Sequence, residues 1–350
     1  MAEAAPGAAF LAGTGVPSPP IIDLHVHVAG IGAGASGCHV SPRLLRNWRY
    51  GIYLRAFGVT VGELARQGDA LVVRRVAETI AASQWVAGGV LLALDGVVDS
   101  RGELDLERTE VYVPNRFVRA AASYPQLFYG ASVNPLRHDA LARLEQAAAD
   151  GAVLIKWLPA IQQIDPADPR CTPFYRRLGE LGLPLLVHTG AERSFTTSHP
   201  ELGDPQRLRL PLELGVTVIA AHAATTGRSQ GEDNMLRLLA MLPVYPHLYT
   251  DISSLTQLNK LRYLPRLLRR TEVHDRLLYG TDFPLINTRL VSPWYFPFAL
   301  TASQRREIAR LTNPWDRDVA LKAALGFPPE VFTRGALLIQ SRIRGEDSGF

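Results

Sequence analysis

The chain has 350 residues, 47% of them hydrophobic and 20% charged, with a formal net charge of +4. That length supports a large buried core, either one big α/β domain or two smaller ones, and the small charge surplus gives no case for nucleic acid as a partner. No apolar run approaches the roughly 20 residues that span a bilayer, so no membrane role is expected.

Residues 1–19 are rich in Ala, Gly and Pro and lack the basic start and apolar core of a secretory signal, so they read as a loose tail. Cys38 and Cys171 form neither a disulfide framework nor a zinc motif, and reduced thiols in the cytoplasm are expected. In Ile21-Ile22-Asp23-Leu24-His25-Val26-His27 apolar residues alternate with Asp23, His25 and His27. This is the period of a strand, and it puts both imidazoles on one face. An isolated His-x-His fits a pair of hydrogen-bonded core histidines as well as it fits a metal site. Residues 29–62 form a Gly-rich and then Arg/aromatic-rich insertion, with a helix start at Ser41-Pro42. A helix over 63–86 is expected to end before Gly88-Gly89.

Apolar runs at 90–95, 127–133, 152–157, 184–188, 216–222, 248–252 and 276–282 predict seven more strands, with helical patterns between them. Eight strands alternating with helices predict a parallel sheet closed as a single (β/α)8 TIM barrel. The rival, an open doubly wound sheet, lacks its Gly-x-Gly-x-x-Gly fingerprint after the first strand. A Pro/aromatic loop at 293–297 and helices over 301–325 and 329–339 complete a domain spanning 20–340, followed by a tail at 341–350.

In such a barrel the C-terminal strand ends share one face, where active sites are built. His25 and His27 end strand one, Lys156 strand four, His188 strand five, His222 strand six, Asp251 strand seven and Asp282 strand eight. The segments LHVH at 24–27, LIKWLP at 154–159, PLLVHTG at 184–190, VIAAHA at 218–223 and LLYGTDFP at 277–284 together resemble the amidohydrolase superfamily of metal-dependent hydrolases. The resemblance runs from Ile21 to about Gly335 and is nearest the branch of aminocarboxymuconate semialdehyde decarboxylase-like enzymes and lactone hydrolases.

The resemblance implies that His25, His27, His188 and Asp282 hold a divalent metal. Zinc is expected first, with manganese or iron as substitutes, and one ion over two. It also implies Asp282 as general base and His222 as a carbonyl-polarising or acid/base group. In binuclear members a strand-four lysine carries a carbamate between two metals. Lys156 is then either that bridge, with His188 and His222 on the second ion, or a simple ion-pair partner.

Glu192 and Arg193 follow strand five in a loop over the pocket, and serve substrate binding or remain solvated charges. Trp157 lines the pocket or packs behind it. Asp251 hydrogen-bonds a ligand histidine or supports the barrel. His39, Arg55 and the loop aromatics are further candidates, and the apolar loops could also form a homodimer interface. The expected reaction is hydrolysis of an ester, lactone or amide of a small-molecule substrate. Nonoxidative decarboxylation is the alternative, favoured if an arginine grips a carboxylate. A non-catalytic metal-binding protein is a third reading.

Overall fold

The computed structural model describes residues 19–191 and 199–343; the expected tails at 1–18 and 344–350 lie outside them. Eight parallel strands follow one another around a barrel: β1 (Ile21–His27), β2 (Val86–Leu92), β3 (Leu127–Ala131), β4 (Leu154–Trp157), β5 (Leu185–Val187), β6 (Val218–Ala220), β7 (Leu248–Asp251) and β8 (Leu277–Leu278). Each pairs with its chain neighbour, as right-handed crossovers dictate. The ring comes round between β8 and β1. His27 N–H donates to the Phe283 carbonyl (3.0 Å), and Asp282 N–H to that of His25 (3.0 Å).

Apolar residues sort onto two sides of this wall. Ile22, Leu24, Val90, Leu92, Leu154, Leu186, Ile219 and Leu278 form a cluster drawn from across the ring, the barrel interior. Ile21, Val26, Leu91, Ile155 and Val187 face outward into the layer shared with the surrounding helices. The helix Pro329–Leu338 covers the end away from the strand C-termini, where Ala336 joins the interior cluster.

β1 departs from simple alternation. Asp23 pairs with Gly89 and Val26 with Leu91, so three steps on β1 match two on β2, and the extra residue is a bulge. Leu24 stays in the interior while Asp23 turns outward, accepting from Trp315 Nε1 (2.8 Å) and Thr281 Oγ1 (2.6 Å). The period-two reading that grouped Asp23 with the two histidines is corrected: the bulge re-phases the strand so that His25 can join the site without Asp23.

The expected helix over 63–86 is two helices, Val61–Gln67 and Ala70–Ala81. Between them sits buried Asp69, which accepts from Ile31 N–H (3.0 Å), Gly32 N–H (2.9 Å) and Ser36 Oγ (2.5 Å). It thereby ties down the Gly-rich start of the insertion. β2 begins at Val86 rather than residue 90, with Gly88 and Gly89 inside it. A Cβ at Gly88 would lie 2.7 Å from the Phe128 ring, and one at Gly89 2.9 Å from Ile80 Cδ1. Those glycines mark close packing of neighbours on the strand, where sequence alone suggests a turn. The rest of the insertion holds the helices Pro42–Leu45, capped by Ser41, and Trp48–Ala56, capped by Asn47. No helix among the described residues is long and apolar enough to cross a membrane.

Candidate active site

His25, His27 and Asp282 meet where β1 and β8 close the ring. His25 Nε2 lies 3.2 Å from His27 Nε2 and 3.7 Å from Asp282 Oδ1, and His27 Nε2 lies 3.1 Å from the same oxygen. One ligand atom from each falls within 4.8 Å of the others. Asp282 holds a left-handed backbone (φ 62°), fixed by its N–H on the His25 carbonyl. Its second oxygen, Oδ2, accepts from Ser254 Oγ (2.5 Å).

Behind His25 stands Asp251. Its Oδ2 lies 2.8 Å from His25 Nδ1, and Oδ1 accepts from Ser253 Oγ (2.5 Å) and His222 N–H (2.7 Å). An ionised carboxylate only accepts, so Nδ1 carries the proton and Nε2 presents its lone pair toward His27 and Asp282. Lys156, fully buried in β4, brings Nζ to 3.0 Å from that Nε2. Burial, with Lys156 beside it, pushes the His25 pKa down to about 4. Burial pushes Asp251 up, but the His25 charge and the His25 and Ser253 hydrogen bonds bring it down to about 2. Asp282 likewise ends well below the usual carboxylate range: burial opposes this, while His27, His25 and His222 bring it about.

His188 and His222 form a second pair. His222 Nε2 lies 3.1 Å from His188 Nδ1, with the rings edge to face at 4.5 Å. His222 sits in a left-handed turn (φ 42°) after β6. Its pKa is held well below the ordinary value by burial, then by Lys260 and His188. His222 Nδ1 is buried with no hydrogen-bond partner among the described residues. The expected quartet of His25, His27, His188 and Asp282 is thus divided: three converge, and the fourth stands beside His222.

Next to both groups opens a cavity of about 380 Å³, lined by His188, His222, Asp282, Thr225, Thr226, Gln257, Asn259, Lys260 and Arg262, among others. Trp157 is not in the lining. It is fully buried against Phe174 and Tyr175, its Nε1 donating to the Val133 carbonyl (2.8 Å), because the β4 side chains alternate faces and Lys156 takes the inward one. Arg55 and His39 are also absent from it. Glu192 and Arg193 lie outside the described residues. Sequence reading missed Ser253, Ser254, Gln257, Asn259, Lys260 and Arg262; their signal was the polar run SSLTQLNKLR directly after β7.

The donor set fits a divalent cation: two imidazole nitrogens and a carboxylate oxygen face one another, with Asp251 orienting one imidazole from behind.

Among solved structures, an uncharacterized TIM-barrel protein from Bordetella bronchiseptica shares the fold at a TM-score of 0.55 and 17% identity, covering 93% of this chain and 99% of its own. A proposed 2-pyrone-4,6-dicarboxylic acid hydrolase from Pseudomonas putida matches at 0.53 and 16% identity, covering 92% and 97%. A 2,6-dihydroxybenzoate decarboxylase from Rhizobium matches at 0.48 and 13%, covering 92% and 99%. No curated protein matches the sequence. The amidohydrolase family model matches residues 22–312, nearly all of the barrel and its site, and the chain belongs to that family of enzymes.

Proposed function

We propose that the enzyme hydrolyses an ester, lactone or amide bond of a small molecule, with Asp282 as the base. The observation that carries this reading is the convergence of His25 Nε2, His27 Nε2 and Asp282 Oδ1 beside the cavity. A divalent cation held by these residues supplies Lewis acidity and lowers the pKa of water. Zinc suits two imidazoles and a carboxylate, with manganese or iron as substitutes, and one ion is favoured over two.

Asp282 is kept ionised by its neighbours, so it can accept the proton of the attacking water and pass it to the departing oxygen or nitrogen. Ser254 engages Oδ2, which leaves Oδ1 toward His27. His222 lines the cavity and is the proposed donor to a substrate carbonyl.

A second reading, nonoxidative decarboxylation, is favoured by Arg262 and Lys260 in the cavity lining, where they can grip a carboxylate. Turnover in 18O-labelled water separates the two. Hydrolysis places one solvent oxygen in the product acid; release of carbon dioxide with uptake of a solvent proton, and no label in the organic product, would replace the first reading by the second.

A further inference from the structure

We propose that the cavity holds a separate anion subsite made by Lys260 and Arg262, so that the substrate has a reacting group at the His25–His27–Asp282 centre and a second, remote carboxylate or phosphate. This rests on the reading of the cavity as the substrate site.

Both cations belong to the segment after β7 and line the same cavity as His222 and Asp282. Lys260 is only 9% exposed. Arg262 lies with its guanidinium 4.8 Å from the Tyr263 ring centre, and its Nη2 donates to Tyr263 Oη (2.8 Å). That contact orients the planar fork and uses one of its five donors. Neutral donors complete the wall: the amides of Gln257 and Asn259, and the hydroxyl of Thr225. Thr225 is 1% exposed, and its Oγ1 has no hydrogen-bond partner among the described residues. The buried Lys260 ammonium and the exposed Arg262 fork at the cavity wall, with neutral donors between them, recognise anionic oxygens.

Isothermal titration of the zinc-loaded full-length enzyme tests this with four probes. Glutarate and 3-phosphonopropionate carry an anionic group at each end, butyrate carries one, and uncharged acetohydroxamate reports on the metal alone. At least one of the two-ended probes should bind about tenfold or more tightly than butyrate. The better of the two identifies carboxylate or phosphate as the group recognised. Lys260→Gln and Arg262→Gln should each remove most of that margin, Lys260→Arg should keep most of it, and acetohydroxamate should bind all the variants alike. No margin over butyrate in the wild type, or an unchanged margin in both glutamine variants, overturns the subsite. Failure of acetohydroxamate to bind the wild type would count against the metal centre instead, and the margin over butyrate would still read the subsite.

Discussion

One carboxylate of Asp251 serves both histidine groups: Oδ2 lies 2.8 Å from His25 Nδ1, and Oδ1 accepts the His222 backbone N–H at 2.7 Å. It sets the tautomer of the first and pins the turn that carries the second. Asp251→Asn should therefore weaken metal binding by roughly 10- to 100-fold while the fold persists. Competition against a chelator of known affinity measures this, and unaltered metal affinity would refute the orienting role.

Asp282 joins ligand and base in one side chain. Asp282→Asn should lower kcat by about 10³-fold or more, and leave the thermal midpoint within a few degrees of wild type. Near-normal turnover in that variant would remove Asp282 as the proton acceptor.

Metal content decides the state of Lys156. Its Nζ lies 3.0 Å from His25 Nε2, whose lone pair a cation would take, so the lysine must give up that contact when an ion is bound. Elemental analysis of protein purified without chelator should give one ion per chain, and the intact mass should show no added CO2. Two ions, with activity restored by bicarbonate, would make Lys156 a carbamate bridge and assign the His188–His222 pair to the second ion.

Asp23 offers a pH test. Complete burial raises its pKa from 3.8 to about 6, although Thr281, the His25 N–H and Trp315 all donate to it and pull the other way. A raised carboxyl pKa means that the folded state binds the proton more tightly than the unfolded state does. The contribution of this group to stability is then fully present below about pH 4 and is lost as pH rises toward 6, a change of roughly 3 kcal/mol. In urea melts the stability of Asp23→Asn relative to wild type should climb by that amount across this window and stay level above it. A flat difference would show that the hydrogen bonds fully offset burial.

The thiols give a simpler check. Burial pushes both Cys38 and Cys171 up to about 12. Neither should react with a thiol-specific disulfide reagent at about pH 8 until urea unfolds the chain, when both should react together. Rapid labelling of the native protein would contradict their burial.

Strand number, order and the residues at the strand ends were legible because each β strand is an apolar run bounded by turn residues, and a barrel sends every strand's C-terminal end to one face. What escaped was geometry that periodicity does not encode. One extra residue between Asp23 and Val26 rotates Asp23 out of the site, and no composition signal marks it. Gly88 and Gly89 read as a turn because a glycine required by a neighbouring ring looks the same in sequence as one required by a bend. Lys260 and Arg262 were missed because they lie beyond the strand end, in a segment whose path over the barrel follows from tertiary packing. Trp157 was assigned both ways because its position in a four-residue strand leaves the facing undetermined until Lys156 takes the inward side.

β1 precedes every other barrel strand in the chain, yet several of its partners follow the last of them. Its hydrogen bonds run to residues 279–283, Asp23 is bonded by Trp315, and Leu24 packs against the helix Pro329–Leu338. A chain that has passed β7 therefore still carries an open ring with an unpaired edge at either side, and His25 and His27 hang on one of them. The barrel and its chemistry are completed together, so a chain shortened before β8 exposes sticky strand edges rather than a weakened enzyme.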